Sequence, residues 1–166
     1  MNATPHSPPR PAIRVAVVMD RERAPNRWQD WRFTVAEVVP DEDAFGSEPR
    51  VLRDDGKVRR TLHPGFTLEL HADQADGYYL NLSSGAPVWF VVWRIDDDDP
   101  SLAWAERVSV SYEEAGRWLD AQERVDNVPL PADVAAWLQA YTDATYRPEP
   151  RKRRRPQSFV APGERQ

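Results

Sequence analysis

Apolar residues recur at every second position over much of the first half of this chain and at helical spacing near its end, so strands are predicted first and helices later. Ile13, Val15, Val17 and Met19 alternate with Arg14, Ala16 and Val18, which predicts a strand with one strongly apolar face and a second that is partly so. Trp31, Phe33, Val35 and Val39 repeat the pattern until Pro40-Asp41 ends it, and residues 41–48 read as a loop. Val51-Leu52-Arg53 and residues 58–62 flank Asp54-Asp55-Gly56-Lys57, the chemistry of a hairpin turn. His63-Pro64-Gly65 punctuates the chain again before Phe66, Leu68 and Leu70 alternate with Thr67, Glu69 and His71 as a half-buried strand.

Residues 73–84 fit two periods. Ala75, Tyr78, Tyr79 and Leu82 suit a helical face, whereas Tyr78, Leu80 and Leu82 suit a strand face, and a short helix is the reading adopted. Residues 88–95 are apolar on both faces, as a central strand covered on each side requires, with residues 96–100 turning the chain and residues 107–110 returning antiparallel. Ser111 followed by Glu114 is a capping-box signature, and Ala115, Trp118 and Leu119 would form the buried stripe of the helix it opens. Residues 127–131 connect to a last helix in which Val134, Trp137, Leu138 and Tyr141 recur, with Pro131 near its first turn and Arg147-Pro148 stopping it. The expected fold is α+β: an antiparallel β-sheet or partly open barrel with a C-terminal helix pair on one side.

Composition sets the limits of that domain. Pro5, Pro8, Pro9 and Pro11 accompany no apolar period, so residues 1–11 are expected to be a disordered arm, residues 12–146 a single α+β domain and residues 147–166 a disordered basic tail. The seven Trp lie in the middle of the chain and are expected to build its core, Trp89 and Trp93 within the buried strand. With no cysteine, a disulfide framework, thiolate metal sites and a Cys nucleophile are excluded, and a cytoplasmic setting follows. The longest apolar run, residues 88–93, is too short to span a bilayer, and residues 1–5 show no basic region followed by an apolar stretch, so a soluble protein is expected.

Charge is divided unevenly. The tail carries a net +5 and residues 1–146 a net −10, within an overall −5. Arg151, Lys152, Arg153, Arg154 and Arg155, followed by Phe159, couple charge to a small apolar anchor and are candidates for binding a partner. Trp28 and Trp104, at element edges, are the candidate exposed anchors, because Trp, Tyr and Arg dominate interface energetics.

Catalytic chemistry finds little support. Residues 96–99 are four consecutive carboxylates, which lack the spaced ligands and turn glycine of a calcium loop and read as a solvated turn. His63, His71 and Glu69 would suit a metal or acid–base chemistry, yet Glu69 and His71 fall on the solvent face of their strand and His63 in a loop. No nucleophile elbow or phosphate loop is present. No catalytic residue, cofactor or metal ligand is expected.

Several segments together resemble a family of small proteobacterial proteins of unknown function encoded near formate dehydrogenase genes. The likeness is carried by Val15-Ala16-Val17-Val18-Met19-Asp20-Arg21, the Trp-rich residues 28–39, residues 66–71 and residues 79–94, then Val128-Pro129-Leu130-Pro131 and the basic tail. The resemblance implies an accessory role in making, inserting or regulating a molybdenum- or tungsten-dependent formate dehydrogenase, and no ligand residues. A non-catalytic protein whose partner is a formate dehydrogenase subunit or maturation factor is therefore expected. Nucleic-acid binding through the tail is the alternative, opposed by the acidic body.

Overall fold

The computed structural model describes residues 10–43 and 45–148. Seven strands form two antiparallel sheets, and three α-helices pack around the second. The first sheet holds β1 (Ala12–Arg23), β2 (Trp31–Pro40), β3 (Arg50–Asp54) and β4 (Val58–Glu69) in the order β2-β1-β4-β3. The second holds β5 (Val88–Ile95), β6 (Ala103–Ser109) and β7 (Arg124–Pro129) in the order β6-β5-β7. A 3-10 turn leads into α1 (Ala75–Ser83), and α2 (Tyr112–Asp120) and α3 (Ala132–Thr145) follow later. The two sheets remain separate and do not close into a barrel.

The alternation along β1 divides its neighbours between two cores. Val15, Val17 and Met19 face the second sheet and pack with Phe33, Val35, Leu68, Trp89 and Val91. Ala16, Val18 and Leu62 form a smaller cluster on the opposite face, where Phe45 covers them. On the second sheet Phe90 and Val92 are covered by Ala115 and Trp118 of α2. β5 is therefore central and buried on both faces, as its unbroken apolar run predicts.

Local chemistry accounts for the turns. In the β3–β4 hairpin, Asp55 Oδ1 accepts from the amides of Val58 at 2.9 Å and Lys57 at 3.0 Å, and these bonds hold its carboxyl down at about 2. Gly56 takes φ +82°, a conformation few other residues adopt without strain. Ser111 caps α2 as expected, its Oγ accepting from the Glu114 amide at 3.3 Å. Residues 73–84 are helical over Ala75–Ser83.

Three expectations need correction and a fourth is extended. His63-Pro64-Gly65 does not interrupt a strand; β4 runs through it as a bulge opposite residues 15–17, with Gly65 at φ +93° and its amide donating to buried Asp41. Residues 127–129 belong to a strand, Arg124–Pro129, rather than to a connector, because β5 supplies the ladder that its own polar pattern does not announce. Leu119 is not part of the buried stripe of α2 but 58% exposed. The helix pair is joined by a third member, since α1 packs against both α2 and α3.

Asn81 of α1 has a particular role in this join. The β5–β6 ladder begins at Phe90 opposite Ser109, so continuing its register would set Trp89 opposite Val110 and Val88 opposite Ser111, where the chain has already turned into α2. The Asn81 side chain takes that place: Nδ2 donates to the carbonyls of Val88 and Val110, each at 2.9 Å, and Oδ1 accepts from the Val88 amide at 3.0 Å.

Candidate functional site

The β1–β2 connection is built to display a tryptophan. Asn26 Oδ1 accepts from the amides of Trp28 at 3.2 Å and Gln29 at 3.0 Å, a side-chain-closed turn, while the Ala24 amide donates to the Asp30 carbonyl at 3.1 Å. Trp28 stands on this turn at 88% exposure, so it builds no core, contrary to the expectation for the tryptophans as a set.

Below Trp28 lies a groove of about 400 Å³ lined by Trp31, Phe33, Trp93, Ile95 and Arg124 among others. Strand register supplies its aromatic–cation pairs. Arg23 opposes Trp31 across β1–β2 with its guanidinium 4.7 Å from the ring, and Arg124 opposes Trp93 across β5–β7 at 5.6 Å. Arg21 adds a second cation to Trp31 at 4.2 Å, and Phe33 meets Trp93 at 5.9 Å between centroids. Trp93 is thus only half-buried, at the groove wall, rather than sealed within its strand.

Asp126 of β7 fixes the two walls together. Its Oδ1 accepts from Trp93 Nε1 at 3.1 Å and its Oδ2 from the Val35 amide of β2 at 2.9 Å, one bond to each sheet. The groove is a rigid seam between the sheets.

Trp104 lies elsewhere. It is half-buried on β6, its Nε1 donating to Glu106 Oε2 at 2.9 Å, and it lines a neighbouring cleft of about 300 Å³ with Arg21, Arg59, His63 and Leu102. Phe33 lines both hollows, so the two predicted tryptophans flank adjacent sites without sharing one. Arg151, Lys152, Arg153, Arg154, Arg155 and Phe159 lie outside the described residues.

The histidines do not meet. His63 is buried in β4 rather than in a loop, and burial pushes its imidazole below the ordinary value. His71 sits 3.7 Å from Glu69 beside a different hollow, which Tyr78 and Glu114 also line. Tyr78 accepts the His71 amide at 3.0 Å, and burial pushes its phenol up to about 12. The carboxylates of residues 96–99 close a turn: Asp96 Oδ1 accepts from the amides of Asp98 and Asp99, and Asp99 Oδ1 from the Ser101 amide and hydroxyl. Among the described residues no group of three or more His, Asp or Glu is placed to hold a metal ion.

Sequence reasoning missed Trp31, Trp93 and Arg124 as groove residues, and Arg21 and Arg59 as cleft residues. Their signal is cross-strand pairing, Arg23 with Trp31, Arg124 with Trp93 and Arg59 with Arg21, which becomes visible only once register is known.

A two-sheet α+β domain with an aromatic–arginine groove defines the class. The chain belongs to the DUF3305 family, described as a protein of unknown function, whose profile matches residues 14–155. No match was found among curated proteins or solved structures. Among the described residues no helix is long and apolar enough to cross a membrane.

Proposed function

We propose that this chain is a non-catalytic cytoplasmic accessory protein that binds a protein partner through the Trp28 groove, in the biogenesis or regulation of a formate dehydrogenase. The observation that carries the reading is Trp28 itself, a large apolar side chain presented at 88% exposure on a turn closed by Asn26. Holding a lone Trp in water contributes nothing to the fold. Interfaces, in contrast, draw most of their energy from a few Trp, Tyr and Arg residues, and the groove beneath supplies Trp31, Trp93 and Arg124. The dehydrogenase as partner rests on the resemblance to proteins encoded beside its genes.

The test is a binding titration of the full chain against purified formate dehydrogenase, in wild-type form, as Trp28→Ala, and truncated after Tyr146. Trp28→Ala is expected to weaken binding by about tenfold or more while leaving thermal unfolding unchanged. Truncation measures what the basic tail adds. Absence of binding to the dehydrogenase would overturn the partner, and binding insensitive to Trp28 would overturn the surface. Steep salt-dependent binding to duplex DNA in place of the dehydrogenase would favour the nucleic-acid reading.

A further inference from the structure

Neighbouring arginines on β4 meet different fates. Arg60 is saturated by its register partner Asp20, its Nε and Nη2 donating to the two carboxylate oxygens at 2.8 and 2.9 Å. Arg59 lies opposite Arg21 instead, and both line the cleft beside Trp104. Like charges set directly across a strand pair repel each other. The Nε–H of each is buried, and neither has a hydrogen-bond partner among the described residues. Such orphaned donors are rare in folded proteins, and a ligand is one of the established explanations for them.

The surrounding carboxylates relieve the pair only in part, Asp54 by an ion pair to Arg59 and, with Asp99, by attraction of Arg21 through space. Asp54 Oδ2 stands 3.7 Å from Arg59 Nε, beyond hydrogen-bond reach, and Asp99 acts on Arg21 only through space. Arg21 is meanwhile held in place, with Nη1 donating to the Ser101 carbonyl at 2.9 Å and the guanidinium over Trp31. Burial lowers its pKa and the charge of Arg59 adds to that effect, the sign expected where an incoming anion would be welcome. Around the two guanidinium groups the walls are mostly apolar, with Phe33, Val51, Leu102 and Trp104, while His63, Ser101 and the Arg60-paired Asp20 also line the cleft.

We propose that this cleft binds a small molecule carrying one carboxylate or phosphate on an apolar body, with the oxyanion against the guanidinium groups of Arg21 and Arg59 and the body against Leu102 and Trp104. Guanidinium groups are the side chains best matched to such oxyanions. A volume of about 300 Å³ sits at the small end of ligand sites and suits a single substituted ring rather than a nucleotide. The site adjoins the Trp28 groove, with Phe33 lining both, and does not depend on a protein partner.

The experiment adds phenyl phosphate, phenylacetate, inorganic phosphate and benzyl alcohol in turn to the full isotope-labelled chain and follows the arginine Nε–H resonances by NMR. At least one aromatic anion is expected to bind below about 1 mM and to shift the Arg21 and Arg59 signals. Inorganic phosphate and benzyl alcohol are each expected to bind about tenfold more weakly or worse, since each lacks half of the recognised chemistry. Preference between the two anions identifies phosphate or carboxylate as the source. Arg21→Gln and Arg59→Gln are each expected to weaken binding by about tenfold, whereas Arg60→Gln, already matched to Asp20, changes it less than about twofold. If either cleft variant fails to fold, the wild-type resonances still decide. Neither anion shifting those two signals, or benzyl alcohol binding as well as the anions, overturns the proposal.

Discussion

Replacing Asn81 by Ala tests whether one side chain completes the β5–β6 join. The substitution removes three hydrogen bonds, two donated to the carbonyls of Val88 and Val110 and one accepted from the Val88 amide, at a site only 2% exposed. A typical hydrogen bond contributes about 1 kcal/mol net, but a buried group left without a partner costs about 1–3 kcal/mol. Water does not readily reach these groups, so a loss of about 3–5 kcal/mol is expected, a large share of the about 5–15 kcal/mol that holds a typical domain together. At about 3–5 °C per kcal/mol for a domain of this size, the midpoint of thermal unfolding falls by about 10–20 °C. Urea unfolding followed by tryptophan fluorescence gives the free energy directly, with an unchanged slope confirming that the folded state keeps its extent. Asn81→Asp conserves volume but has no amide donors and turns an acceptor toward two carbonyls, so it should lose at least as much near neutral pH. A loss below about 1 kcal/mol for Asn81→Ala would show that the ladder closes without it.

Two further predictions concern the same packed region and the arginine cleft. Gly77→Ala normally favours a helix by about 1 kcal/mol, but here the added Cβ would stand 2.1 Å from Ser111 Oγ and 3.2 Å from the Glu113 amide nitrogen. Destabilisation by about 1–3 kcal/mol is expected in urea, shrinking in a Ser111→Ala background, and additive effects in the double-mutant cycle would refute the clash. Burial keeps His63 neutral in the folded chain while the unfolded chain protonates near the ordinary value of 6.5, so stability from this group is full above that value and lost as pH falls through the lower, folded value. His63→Gln should therefore flatten the fall in unfolding midpoint as pH drops below the ordinary histidine value; equal slopes would count against a buried neutral imidazole.

What was legible in the sequence followed from neighbours along the chain. The hairpin at residues 54–57, the Ser111 cap and the double-faced β5 each announce themselves within a few residues, because the physics that forms them is local. α1 was ambiguous because Tyr79 and Leu80 are 44% and 45% exposed, so its apolar residues do not all mark one buried face. β7 was missed because Arg124, Asp126 and Asn127 form a strand only when β5 provides the ladder, and Pro129 discouraged the reading although an edge position tolerates it. The candidate sites depend on register across distant segments: nothing near Arg21 in the sequence indicates that Arg59 will face it, or that Asp126 will join Trp93 to Val35.

The two open sheets leave four strand edges, each a row of amides that offers another chain a template. Three are visibly blunted. β3 is five residues long, fully exposed, interrupted by a bulge between Val51 and Arg53, and studded with Arg50, Arg53 and Asp54. β7 ends in Pro129, which has no amide to offer. On β2 the Val35 amide is already occupied by Asp126, so the carboxylate that fastens one sheet to the other also removes a docking point for a stray strand. The same side chain that shapes the groove thereby guards the protein against templated aggregation, and an acidic residue in the middle of a Trp-rich seam answers two hazards at once.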